Sequence, residues 1–341
     1  MPPATMIPVP FCARVLSIVT CVLFVVVFGF ADATAQTAPE ASRAITPPPR
    51  AKHVLLIGID GFGAYAWEKA DMPNIKRLAA NGAYSLEARC VVPSISAPNW
   101  GTHLAGAGPE SHGYTSNAKA PGLPPRKVSA YGRFPGIFGI MRDAFPDAEM
   151  GVVYDWPRIH ELVENKALSF EKEVFPRRVL KTHTPEETVA IYEESTDTAT
   201  TETVAYLVAK RPRLTFVYLR ALDETGHMFG HDTAAYYATL KKIDAHVGKL
   251  IGALKTAGIE RETVVMLISD HGGHKKGHSE VRLQVFQTPW IISGAGVRRG
   301  HKLESTIVSY DTAATIAQIL GVTPPQCWRG RPVQEAFAGQ P

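Results

Sequence analysis

Five apolar runs, continuous rather than alternating in polarity, constrain this chain most: 53–60 (HVLLIGID), 151–156 (GVVYDW), 214–223 (LTFVYLRALD), 263–270 (TVVMLISD) and 288–294 (TPWIISG). A strand with water on one face alternates apolar and polar residues. Runs this uniform and this rich in β-branched side chains fit strands covered on both faces. Helical spacing fills the intervals at 72–82 (MPNIKRLAANG), 201–211 (TETVAYLVAKR), 236–258 and 311–321 (DTAATIAQILG). The alternation predicts an α/β fold with a mostly parallel central sheet sandwiched between helices. Residues 52–337 contain no repeat, low-complexity break or linker, so one large domain is expected.

The N-terminus reads differently. Arg14 precedes an apolar run at 15–30, and Ala33-Thr34-Ala35 follows as a small-residue cleavage site. The pattern predicts a signal peptide over 1–35, cut after Ala35 or Ala33, with an uncleaved anchor as the alternative. Residues 36–50 are rich in Ala and Pro and read as a flexible linker to a catalytic domain at 51–341. The mature chain is then periplasmic or secreted, with no stable membrane span after cleavage. It keeps Cys90 and Cys327, for which an oxidising compartment permits a bridge; two isolated thiols are the other reading. Thirty-six basic residues against 32 acidic ones give a net charge of +4, which calls for no nucleic-acid polymer as partner.

Three of the runs end in aspartate, at Asp60, Asp223 and Asp270. Ligands of open parallel sheets bind at the carboxyl ends of the strands. One aspartate there serves equally well as a cap or turn. Three would crowd carboxylates that repel one another unless cations lie between them. Histidines follow: His227 lies four residues after Asp223, with Gly226 allowing a tight turn, and His271 directly follows Asp270, with His274 and His278 in the glycine-rich loop beyond. Carboxylate and imidazole at compact spacing suit zinc.

The stretch 93–100, PSISAPNW, offers a nucleophile. Pro98 suits the first position of a helix, which puts Ser96 just before its N-terminus, where free N–H groups favour an anion. Ser96 is then either a helix cap or a cation-activated nucleophile. Trp100, Tyr154 and Trp156 divide between core and a substrate pocket. His112 reads as a structural turn residue, His231 and His246 as surface residues or neighbours of the ligands, and Lys275 and Lys276 as a solvated loop.

GIDGFG (58–63), PSISAPNW with HLAGAGPESHGY (103–114), ALDETGHMFG (221–230), SDHGG (269–273) and the tail YDTAATIAQILGVTPP (310–325) together resemble the alkaline phosphatase superfamily. The nearest branch is the type I phosphodiesterases and nucleotide pyrophosphatases. The resemblance implies an alkaline phosphatase-like fold with two Zn2+, or other divalent metals, at the carboxyl ends of the strands. Asp60, Asp270 and His271 would hold one ion beside Ser96. Asp223, His227 and a further histidine would hold the second, with His278 ahead of His274 and His301. Asn99 would bind a phosphate oxygen. The implied reaction is hydrolysis of a small-molecule phosphate ester through a phosphoserine. A phosphomonoesterase would use the same residues, although 93–100 lacks the arginine that a doubly charged phosphate favours. A sulfatase signature would place arginine where Trp100 stands. A silent zinc-binding protein should have lost a ligand or the nucleophile, and none is missing.

Overall fold

The computed structural model describes residues 51–337; the expected signal peptide and linker lie outside the described residues. Eight strands form one sheet: β1 His53–Ile59, β2 Gly82–Arg89, β3 Met150–Tyr154, β4 Phe170–Glu173, β5 Leu214–Leu219, β6 Thr263–Ile268, β7 Gln287–Gly294 and β8 His301–Lys302. Their order is β4-β3-β5-β1-β6-β7-β2-β8. The first five of that order are parallel, and β7 runs against both its neighbours.

The uniform apolar runs are explained by two cores, one on each face. Val54 and Leu56 of β1, Phe216 and Tyr218 of β5, and Met266 and Ile268 of β6 pack against helices Ser96–Ala105, Ile137–Ala144 and Asp311–Ile319. Their sequence neighbours Leu55, Ile57, Val217 and Leu267 point the other way, against helices Pro73–Ala80, Pro185–Lys210 and Ala234–Thr256. Successive strand residues face opposite sides, so both sets must be apolar.

The structure departs from the sequence reading at several junctions. The run 214–223 is not one strand: β5 stops at Leu219, and Ala221–Phe229 is a helix, so Asp223 sits in a first helical turn. Ala221 and Leu222 are buried in either conformation, which hid the boundary. The helix read at 201–211 begins far earlier, at Pro185, where Thr184 and Glu187 bond reciprocally as a capping box. Strands β2, β4 and β8 escaped notice because their side chains are only partly covered; β4 is the charged edge strand FEKE. Cys90 and Cys327 are both free thiols, the first buried.

Candidate active site

The central position of β1 assembles the site. Asp60 follows β1, Asp270 comes two residues after neighbouring β6, and Asp223 lies on the helix after β5, the neighbour on the other side. All three are buried. Their carboxylates therefore meet at one sheet edge. His271 Nε2 lies 3.1 Å from Asp270 Oδ2 and 3.7 Å from Asp60 Oδ1. Asp60, Asp270 and His271 form one compact donor group, and Asp223, His271 and His278 form another. His227, one helical turn after Asp223, brings its Nε2 to 3.0 Å from Asp223 Oδ2. Gly226 therefore makes no tight turn; the pair shares one helix face.

Three imidazoles are oriented alike. Nδ1 of His227 donates to the Lys276 carbonyl at 3.0 Å, Nδ1 of His271 to that of Gly272 at 2.9 Å, and Nδ1 of His278 to that of Ser94 at 2.7 Å. Each bond turns Nε2 toward the carboxylates, the outer arrangement typical of metal-bound histidine, and with a cation in place it would leave Nε2 its lone pair. Ser94 Oγ also donates to the His278 carbonyl at 2.6 Å, and the His271 and His278 rings stack 3.8 Å apart. His274 instead pairs with Glu280, and His301 with Glu335.

Without a cation the cluster is electrostatically strained. Burial, then repulsion from Asp223, pushes Asp60 up to about 8, and burial with both neighbouring carboxylates holds Asp270 well above the usual range. Burial also opposes ionisation of Asp223, but the His227 hydrogen bond and the surrounding imidazoles outweigh it and hold this carboxyl below its ordinary value. The same hydrogen bond raises His227 to about 9. Burial, reinforced by His278, lowers His271 to about 3 and so keeps it neutral. Asp60 Oδ1, Asp270 Oδ2, Asp223 Oδ1 and His231 Nε2 are buried without any hydrogen-bond partner among the described residues. Such orphaned groups are costly, and divalent cations would satisfy the three carboxylates together. The donor set fits such ions.

Ser96 is the first residue of its helix, so Pro98 stands third rather than first, and the N-cap position is Ile95, whose side chain makes no capping bond. The Ser96 hydroxyl is thus free of the capping role and lies 3.3 Å from His271 Nε2. Asn99 corrects the sequence reading. It is fully buried; its Oδ1 accepts from Val91 N at 2.7 Å, and its Nδ2 contacts the carbonyls of Val91, Pro93 and Ile95. The amide is spent on folding the 91–95 loop and has no group left for a phosphate. Asn117 does: its Oδ1 accepts from Ala97 N at 2.8 Å beside Ser96, and its Nδ2 has no partner among the described residues. It stands in a Gly/Pro/Ser loop without periodicity, and only the tertiary contact reveals it.

The proposed pocket aromatics also sort. Trp100 is buried and donates Nε1–H to Asp60 Oδ2 at 3.1 Å, so it is no pocket wall. Tyr154 lies in the core, with its hydroxyl on Glu171. Trp156 is half-buried and stacks on Tyr218, whose hydroxyl donates to Asp60, so it alone of the three stays at the site mouth. His231 is not a surface residue: it is buried between Gly226 and Gly273, with Nε2 3.7 Å from Asp223 Oδ1. His112 is buried against Thr102 in a structural role, and His246 lies buried in helix Ala234–Thr256, away from the cluster.

A mostly parallel sheet covered on both faces, with carboxylate–imidazole groups and a helix-initiating serine at its carboxyl edge, defines an alkaline phosphatase-like α/β protein with a candidate metal centre. The family model for type I phosphodiesterase / nucleotide pyrophosphatase matches residues 54–126 and 132–286, and the chain belongs to that family. It is 25% identical over 297 residues to a venom phosphodiesterase of Naja atra, covering 80% of this chain and 33% of that protein. Over 252 residues it is 26% identical to ectonucleotide pyrophosphatase/phosphodiesterase family member 1 of Rattus norvegicus, covering 69% of this chain and 25% of that one. The chain thus spans a third or less of the length of these relatives. Among solved structures, murine ectonucleotide pyrophosphatase/phosphodiesterase 5 superposes with TM-score 0.63 at 15% identity, covering 84% of this chain and all of that one. A 2-O GAG sulfatase gives TM-score 0.66 at 14% identity, covering 85% and 76%. At such identities the likeness is one of fold.

Proposed function

We propose that this chain hydrolyses phosphoric esters of small molecules, in the manner of a phosphodiesterase or nucleotide pyrophosphatase, through a covalent phosphoserine at Ser96. The observation that carries the reading is the convergence of unpartnered Asp60, Asp223 and Asp270 oxygens on the imidazoles of His227, His271 and His278, with the Ser96 hydroxyl 3.3 Å from His271. Asp60, Asp270 and His271 would hold one divalent cation beside Ser96, and Asp223, His227 and His278 the other; the mixed N and O donors favour zinc. When bound, the pair supplies Lewis acidity that lowers the serine pKa and offsets charge on the phosphoryl oxygens.

The remaining roles belong to the chain. Ser96 Oγ attacks phosphorus, the P–Oγ bond forming as the ester P–O bond breaks and the alcohol departs with a proton. Water then cleaves P–Oγ, releasing the phosphoryl product and returning the hydroxyl. The Ser96 N–H at the start of its helix and the Asn117 amide donate to the phosphoryl oxygens. Trp100 and Tyr218 keep Asp60 aimed, and the His231 ring fills the space beside Asp223. The absence of arginine from 93–100 favours diesters over monoesters. Export belongs to the same proposal: a signal peptide at 1–35, a linker at 36–50 and the catalytic domain at 51–341. It is supported by the N-terminal pattern and by relatives named as venom and ectoenzyme proteins. No described helix is long and apolar enough to cross a membrane.

The test is turnover of chromogenic phosphodiester, phosphomonoester and sulfate esters, with and without chelator. Diester turnover should dominate, vanish on chelation and return with zinc. Ser96→Ala should abolish it while metal content stays unchanged. Sulfate as the best substrate, or an active Ser96→Ala protein, would overturn the reading.

A further inference from the structure

Exposed apolar side chains are concentrated around the mouth of the site. Among the described residues eight large apolar side chains are exposed, and six of them stand on three loops: Val92, Phe175 with Val179 and Leu180, and Val281 with Leu283. Each loop leaves the sheet at the edge that carries the site. The loop at 90–95 follows β2 and leads into Ser96; that at 174–184 follows β4; that at 269–286 follows β6 and carries His271 and His278. The first and third are joined, with Cys90 N donating to the Phe286 carbonyl and Ser94 bonded to His278. The most prominent tips are Val281, 89% exposed, Phe175, 77%, and Val92, 72%, so water meets most of their surface.

Two of the three loops are basic. Residues 174–184 carry Arg177, Arg178 and Lys181 and no acid; residues 271–286 carry Lys275, Lys276 and Arg282 against Glu280 alone. Arg178, Lys181, Lys275 and Lys276 have no carboxylate within ion-pair distance among the described residues. Isolated apolar tips on separate loops do not form the continuous flat patch that a protein partner buries. Tips that dip below a headgroup layer, flanked by cations at phosphate level, form the pattern of an interfacial membrane contact.

We propose that this rim docks on an anionic lipid bilayer and sets the mouth of the site against the headgroup layer. Phe175, Val179 and Leu180 insert on one flank and Val92, Val281 and Leu283 on the other, while Arg178, Lys181, Lys275 and Lys276 meet lipid phosphates. The surface is defined by exposure and charge, so it stands independently of the hydrolytic reading.

The experiment uses the full chain and co-sedimentation with vesicles of phosphatidylcholine alone or with about one-third phosphatidylglycerol. Binding should favour the anionic vesicles and weaken as salt is raised. Phe175→Asp with Val281→Asp, and separately Arg178→Glu with Lys181→Glu, should each weaken it about tenfold or more. Turnover of a soluble diester by both variants should match the parent, which separates a failed docking surface from a failed catalytic assignment. Binding to neutral vesicles that ignores salt and both variants would overturn the proposal, because an apolar segment elsewhere would then be the anchor. So would absence of binding, or variants that alter only the oligomeric state, which would make the rim a contact between copies.

Discussion

The Trp100 indole donates Nε1–H to Asp60 Oδ2 at 3.1 Å, tying the helix that begins at Ser96 to the end of β1. Trp100 stands one turn after Ser96, and its ring occupies the space above Gly58, where an added Cβ would come within 2.6 Å of it. Nucleophile and carboxylate are therefore fixed relative to each other by one buried side chain. Trp100→Phe keeps most of the apolar contact and removes the donor. Outer partners of metal ligands typically matter 10- to 100-fold in affinity, so cation binding should weaken by about that factor. Stability should fall by about 2 kcal/mol, because a donor to a buried carboxylate is lost. A titration against a competing chelator reads the first effect, and unchanged affinity would mean that Asp60 is held by Tyr218 alone.

Asn99 and Asn117 should separate cleanly. Asn99→Ala strips the partner from Val91 N and from a set of loop carbonyls, so it should cost about 2–3 kcal/mol in thermal or urea unfolding. Asn117→Ala removes an exposed amide and should leave stability within about 1 kcal/mol of the parent. Its effect belongs in turnover: loss of one donor to a developing oxyanion lowers kcat by about 100-fold or more. The reverse pattern, with stability lost at Asn117 and turnover at Asn99, would restore the role first read for Asn99.

That pair illustrates what the sequence could disclose. Asp60 and Asp270 were legible because β1 and β6 are continuous apolar runs, and a parallel sheet puts the carboxyl ends of such runs at the same edge. Asp223 was legible in its chemistry but not in its placement, since Ala221 and Leu222 are apolar in a strand or a helix alike. The tautomers of His227, His271 and His278 depend on carbonyls of Lys276, Gly272 and Ser94, and a carbonyl has no letter of its own. Asn117 was illegible for a similar reason: its partner is the backbone N–H of Ala97.

His231 owes its place to two glycines, one just before it on the same stretch of chain and one far along the sequence. A Cβ at Gly226 would lie 2.4 Å from the His231 ring, and one at Gly273 would lie 2.2 Å from it. The ring is thereby held with Nε2 toward Asp223, and its burial lowers its pKa to about 4. Gly226→Ala suits the helix itself, yet it must displace the ring. Overpacking of this kind costs roughly 1–3 kcal/mol against a gain of at most about 1 kcal/mol in helix propensity. The variant should melt lower and lose cation affinity; a protein stabilised by the added methyl would show that the ring moves freely.

Glu164 carries a pH dependence remote from the cation cluster. Its buried carboxylate accepts from Gly136 N at 3.0 Å and Gly139 N at 2.6 Å, closing the N-terminus of the Ile137–Ala144 helix, and Ser129 Oγ donates to it at 2.6 Å. Burial nevertheless outweighs these bonds and raises the carboxyl to about 7. The folded state then binds this proton more tightly than the unfolded chain does. The stability it contributes is fully present below the unfolded value near 4.5 and is lost as pH rises through about 7. Glu164→Gln keeps an oxygen for the two N–H groups and a donor for Ser129 but removes the titration. Relative to this variant, the parent should lose roughly 2 kcal/mol in urea unfolding between about pH 5 and pH 7.5. A flat difference, or one favouring the parent at high pH, would mean that the three donors prevail and the carboxylate is ionised throughout.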